Sequence, residues 1–377
     1  MGKDLDRQGQ ELMKPLNGKV SRSGAACQGL TVSALVLGIA WPLFSVAANP
    51  EQKAKTDVSN FTELFFDELK NLVMPNNAVP LELKLTLNLS SVLVPRRMAR
   101  DSEGYLYLTE AADGTVAKFS PDGTIDEEFA RNAAKGKKLR NPQSVSAREK
   151  ILFVQDQDKI VQMDGRGSFV HSMGISSTDD MAIGENGEIF LSPSVMDPKS
   201  PLVEVYSPQG KKLKTFGAAM NFRHSLGELN KRRLVLGGDN VFVIFRYFPV
   251  VRQYRKTGEF LGEFRIEDRF TAIKENYNLR RLGEGIANPS RRYGYMEIAN
   301  AAAAFEGSLY VISGYPILMI YEITPNGKIS AIYWKDIEEV YVPKDFAIEG
   351  SSQEIRFHVF RSFPVAGVDV FMASRKR

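Results

Sequence analysis

The chain has 377 residues, 43% of them hydrophobic, with 49 Lys and Arg against 45 Asp and Glu, for a formal charge of +4. This composition excludes intrinsic disorder and the strongly basic surface that nucleic acid requires. The length exceeds the usual limit for one open core, although a closed all-β toroid can run this long as a single domain.

Residues 30–48, LTVSALVLGIAWPLFSVAA, are uncharged, follow Lys14, Lys19 and Arg22, and end on Ala47 and Ala48. This is the pattern of a secretory signal peptide, so residues 1–48 are read as a signal segment and the protein as secreted or periplasmic. Pro42 interrupts the run and argues against a stable membrane span, with anchoring through residues 30–48 as the alternative. The sole cysteine, Cys27, precedes the apolar run, so cleavage leaves neither a disulfide nor a cysteine metal site.

Residues 49–79 are read as a linker and a short amphipathic helix. Phe61, Leu64, Phe65, Leu69 and Leu72 fall at helical spacing, with Asn60 as N-cap, Glu63 at the capping-box position and Pro75 beyond the end. Residues 81–89, LELKLTLNL, then alternate as a strand.

From residue 96 to 129 the pattern is a small meander. Tyr105, Tyr107 and Thr109 share one side of a strand and Leu106 and Leu108 the other, which predicts burial on both faces. Turn sequences DSEG at 101–104 and SPDG at 120–123 place Asp or Ser first and Gly where φ turns positive. Four short strands are expected here. Related turns end at Gly167, Gly210, Gly258 and Gly327, so the steps from Gly123 onward are 44, 43, 48 and 69 residues. A period in the forties with four strands per unit predicts propeller blades. The long step implies an insertion over about residues 267–296. Pro201, Pro249, Pro316 and Pro364 each stand where the third strand of a unit begins, a place that needs no ladder donor.

Three phrases carry a resemblance: PRRMARDSEGYLYL from Pro95, MAIGENGEIFL from Met181 and YSPQGK from Tyr206. They look like NHL-type repeats, and over about residues 80–377 the chain is similar to the bacterial secreted six-bladed β-propeller family. The resemblance implies an all-β, six-bladed propeller with blades near 93–130, 141–174, 178–217, 231–267, 298–334 and 344–377. The last unit is one strand short, and residues 81–89 are expected to complete it and close the ring. The resemblance also implies that ligands sit on the face carrying the loops between second and third strands and the connections between blades.

On that face Arg246, Tyr247, Arg291, Arg292, Tyr293 and Tyr315 are the candidate ligand-binding residues. Guanidinium forks grip carboxylate or phosphate, and aromatic rings stack on flat ligand faces. Arg246, Arg291 and Arg292 are expected on one face with Tyr293. No catalytic residue, metal or cofactor is assigned. His171 falls in an outer strand, His358 in a strand interior and His224 in a loop, and Gly283 with Gly285 reads as a turn. Asp156, Asp158, Asp179 and Asp180 are the weaker alternative, as holders of a hard ion. The function expected is non-catalytic binding of a protein, peptide or anionic glycan by a monomer, without nucleic acid. The alternative is a lactonase-like, metal-dependent hydrolase or lyase.

Overall fold

A computed structural model describes residues 68–69, 72–89, 95–136, 139–175, 177–290, 293–315, 317–337, 341–362 and 366–375. The signal segment lies outside these residues, and so does the amphipathic helix apart from Glu68, Leu69, Leu72 and Val73. No helix among the described residues is long and apolar enough to cross a membrane.

Among the described residues, two strands precede the first repeat, β1 (Val79–Pro80) and β2 (Glu82–Asn88). The first blade is β3 (Pro95–Arg100), β4 (Leu106–Glu110) and β5 (Thr115–Phe119), and the second is β6 (Pro142–Arg148), β7 (Ile151–Asp156), β8 (Lys159–Asp164) and β9 (Phe169–Gly174). The third comprises β10 (Thr178–Ile183), β11 (Ile189–Pro193), β12 (Pro201–Tyr206) and β13 (Lys212–Ala218). The fourth comprises β14 (Arg232–Gly237), β15 (Asn240–Phe245), β16 (Val250–Arg255) and β17 (Phe260–Arg265). The fifth follows with β18 (Ala301–Phe305), β19 (Ser308–Ser313), β20 (Ile317–Ile323) and β21 (Ile329–Asp336), and the sixth with β22 (Pro343–Gly350), β23 (Glu354–Arg361) and β24 (Gly367–Ser374). Within each blade the neighbours are antiparallel and consecutive.

The first strands of the blades touch in the order β3, β6, β10, β14, β18, β22 and back to β3, so they line a closed central channel. The protein is a six-bladed β-propeller. Strand β2 hydrogen-bonds antiparallel to β24 as the outermost strand of the sixth sheet, and β1 adds a short parallel pairing to β21.

The first blade departs from the expected four strands. After β5 and a single bridge from Phe119 to Ile125, the chain enters helix α1 (Glu127–Lys135). Local chemistry explains the change. Asp126 caps the helix by accepting from the Phe129 amide at 2.9 Å, and Glu127 and Glu128 in the first turn complement the helix dipole. Further helices among the described residues are α2 (Leu226–Leu229) and α3 (Arg269–Ala287), the latter in the insertion between the fourth and fifth blades.

Apolar layers lie between successive blades, for example Tyr107, Phe129, Leu152 and Val161 between the first and second. The repeated turn glycines complete this packing. A Cβ on Gly167 (φ +86°) would stand 2.6 Å from the Phe129 carbonyl oxygen, and one on Gly327 (φ +82°) 2.6 Å from the Phe264 ring. Gly123, Gly210 and Gly258 are packed in the same way by Leu87, Met173 and Phe216. Each turn therefore receives a large side chain from the outer element of the preceding blade. The recurring glycine supplies both a left-handed backbone and a seat without a side chain. Helix α1 and strand β2 present Phe129 and Leu87 where other blades present their fourth strand.

Candidate functional site at the channel mouth

Four of the six channel strands carry a β-bulge at their first residues. The register slips by one between Pro95 and Met98, Pro142 and Ser144, Thr178 and Asp180, and Pro343 and Asp345. A bulge leaves an extra residue out of the ladder and re-aims its side chain. Arg96 and Arg97, Gln143, Asp179 and Lys344 occupy these bulges, and all of them line one cavity of about 880 Å³ at the channel mouth. Its wall also includes Gln155, Gln157, Asp158, Lys231, Arg233, Arg246 and Ser362. The loops between second and third strands open onto it, which is the face that the sequence reading selects.

The floor of the cavity is an ionic brace across the channel. Arg97 donates to Asp180 at 2.5 Å and to the Lys344 carbonyl at 3.2 Å, and lies 3.4 Å from Asp345. Asp180 in turn accepts from the Leu234 amide at 2.9 Å, so the brace joins the first, third, fourth and sixth blades. Arg233 donates to the Asn300 carbonyl through Nε at 2.8 Å and Nη2 at 2.5 Å. Burial opposes the Arg97 charge, but Asp180 and Asp345 more than restore it and hold its pKa above the ordinary arginine value.

Arg246 ion-pairs with Glu297, and its Nε is buried without a hydrogen-bond partner. Glu297 arrives from the insertion. Asn278 of α3 donates to the carbonyls of Tyr247 (2.7 Å) and Met296 (2.8 Å) and accepts from the Met296 amide (2.7 Å), clamping the returning chain to the fourth blade. Lys274 reaches the Ser313 hydroxyl at 3.0 Å and the carbonyls of Gly314 at 2.6 Å and Glu297 at 3.2 Å, clamping it to the fifth. Burial would raise the Glu297 pKa, but Arg246, Arg233 and Lys344 hold it below the usual glutamate value. Burial pushes Lys344 down; Glu297 opposes this, and Arg246, Arg233 and Arg97 add to it. Asp179 is raised by burial against the pull of Arg232, Lys231 and Arg246.

The structure distributes the candidate residues unevenly. Arg246 lines the cavity. Tyr247 is buried, donates to Glu228 at 2.5 Å and packs against Tyr295 at 5.8 Å, so it fastens the insertion. Tyr293 and Tyr315 are half-buried and do not contribute to the cavity wall, and Tyr315 has φ of +40°. Arg291 and Arg292 lie outside the described residues. Gly283 and Gly285, expected in a turn, lie within helix α3. A Cβ on Gly285 would meet His224 at 2.4 Å, so the glycine lets the helix close on that ring. Arg96, Arg97, Lys231, Arg233 and Lys344 are the cavity cations that the sequence reading misses. The signal, for all but Lys231, is a charged pair at the start of four of the six channel strands: Arg96 and Arg97, Asp179 and Asp180, Arg232 and Arg233, Lys344 and Asp345.

Of the proposed ion-holding acids, Asp156 accepts from the Arg140 and Asn141 amides at 2.9 and 2.6 Å, and Asp180 is engaged by Arg97. Among the described residues no three His, Cys, Asp or Glu side chains are grouped to hold a metal ion.

No family profile matches the chain, and no curated protein matches it in sequence. Solved structures do match. A streptogramin B lyase is 13% identical over 79% of this chain and 88% of its own, with a TM-score of 0.48. Regucalcin, a calcium-binding protein from Agrobacterium tumefaciens, is 9% identical over 80% and 98%, with a TM-score of 0.48. A member of the duf4221 family from Bacteroides vulgatus is 8% identical over 80% and 99%, with a TM-score of 0.49.

Proposed function

We propose that the protein is a non-catalytic binding propeller that takes an anionic group of a peptide, protein or glycan partner into the mouth of its channel. The observation that carries this reading is the charge of the cavity wall. Arg96, Arg97, Lys231, Arg233, Arg246 and Lys344 face Asp158 and Asp179. Cations held by a rigid strand framework need little reorganisation to receive an anion, and charge-assisted bonds to carboxylate or phosphate are the strong ones.

Calorimetric titration with succinate, inorganic phosphate and an oligouronate tests the reading. Arg233→Met should weaken the preferred ligand by about 10- to 100-fold, the worth of one charged hydrogen bond. The double variant Arg246→Met with Glu297→Gln should do the same without leaving a buried carboxylate unpaired. Affinity should fall as salt rises. Absence of binding by all three anions, or affinity insensitive to both variants and to salt, refutes the reading. Turnover of a lactone that these variants leave intact would favour a hydrolase using other groups.

A further inference from the structure

Lys344 differs from the other cations that are at least half-buried at the mouth; Arg96, which also lines it, is exposed. Arg97, Arg233 and Arg246 each hold a carboxylate or a carbonyl, and Lys231 pairs with Glu228 at 2.6 Å. The Lys344 amine has no hydrogen-bond or ion-pair partner among the described residues, and Glu297 acts on it only from a greater distance. The β22 bulge turns it into the cavity, and the Arg97 bond to its carbonyl fixes its backbone. It is half-buried, with three guanidiniums in its surroundings. Guanidinium groups stay charged and cannot condense with a carbonyl, whereas an amine desolvated beside other cations keeps a nucleophilic neutral fraction.

We propose that Lys344 captures a carbonyl of the anionic ligand as a Schiff base, so that the ligand class of this cavity is a 2-oxo acid or a related anion carrying an aldehyde or ketone. The inference rests on the anion-binding reading of the same cavity. The neighbouring guanidiniums hold the carboxylate while the amine nitrogen attacks the carbonyl carbon. A C–N bond forms and the π electrons move to oxygen. A proton passes from nitrogen to that oxygen to give a carbinolamine, and the hydroxyl then leaves with a second amine proton as water. The carbonyl C–O bond is replaced by C=N, and no oxidant or reductant is needed. Burial and the arginines favour the neutral amine and Glu297 opposes them.

The test is reductive trapping: the full chain is incubated with pyruvate or 2-oxoglutarate and cyanoborohydride, then examined by intact mass and peptide mapping. One adduct per chain is expected, located on Lys344 and suppressed by excess succinate. Lys344→Arg should abolish it, with an unchanged melting midpoint showing that the variant is folded. Lys150→Arg, remote from the cavity wall, should trap as the wild type does. Adducts spread over many lysines without excess at Lys344, or equal trapping by Lys344→Arg, overturn the proposal. If wild-type protein binds succinate but traps neither oxo acid, only the Schiff base falls. If it neither binds succinate nor traps, the anion site falls with it.

Discussion

Replacing Gly167 by alanine adds one methyl group to a turn, and the structure gives it two separate costs. The residue sits at φ +86°, where a side chain costs about 1–2 kcal/mol. The new Cβ would also stand 2.6 Å from the Phe129 carbonyl oxygen and 3.3 Å from the Ala133 amide nitrogen, both backbone atoms of α1. Backbone cannot rotate away as a side-chain tip can, so the helix must shift, at an overpacking cost of about 1–3 kcal/mol. The total is about 2–5 kcal/mol. Gly238 supplies the control. Its φ is +57°, but nothing lies within 4 Å of the point where a Cβ would stand, so Gly238→Ala should lose only the conformational part, about 1–2 kcal/mol. Urea unfolding of both variants, followed by tryptophan fluorescence and circular dichroism, measures the difference. Equal losses would refute the claim that the turn glycine is a seat for the preceding blade and that α1 fills the place of a fourth strand.

Removing residues 82–88 should expose the β24 edge, empty the seat on Gly123 and abolish cooperative unfolding, while Leu87→Ala should cost about 2–5 kcal/mol. A shortened chain that melts like the full one would show that the sixth blade does not need this strand. For Lys274, burial lowers the amine from 10.5 to about 7, against three oxygen acceptors that favour its charged form. With a folded pKa below the unfolded one, the associated stability is complete above about pH 10.5 and is lost as pH falls through 7. Wild type should therefore gain on Lys274→Met by up to about 1.4 kcal/mol per pH unit between pH 7 and 10. A gap in denaturation midpoints that does not change with pH would show that the amine is charged in the fold throughout this range.

The blade repeat was legible in the linear chain because its signals are local: alternation within a strand, and a positive-φ glycine closing each turn. That is why the 44- and 43-residue steps among Gly123, Gly167 and Gly210 located blades whose strands begin and end close to the expected boundaries. Helix α1 also has a local signal, Asp126 followed by Glu127, Glu128 and an alanine-rich run, which the expectation of four strands in this unit did not use. The cavity could not be read in this way. Arg97 meets Asp180 across 83 positions and Asp345 across 248, and a bulge exists only as a mismatch between two paired strands. Arg246 could be picked out as a loop arginine, but its partner Glu297 depends on how α3 returns the chain to the ring. The number and order of the blades could be read from the chain alone, because the strands within each blade follow one another in sequence, with β2 as the exception that completes the sixth. Only the tertiary structure decided which charges share the channel mouth, because closing the ring brings together channel strands that are remote in sequence.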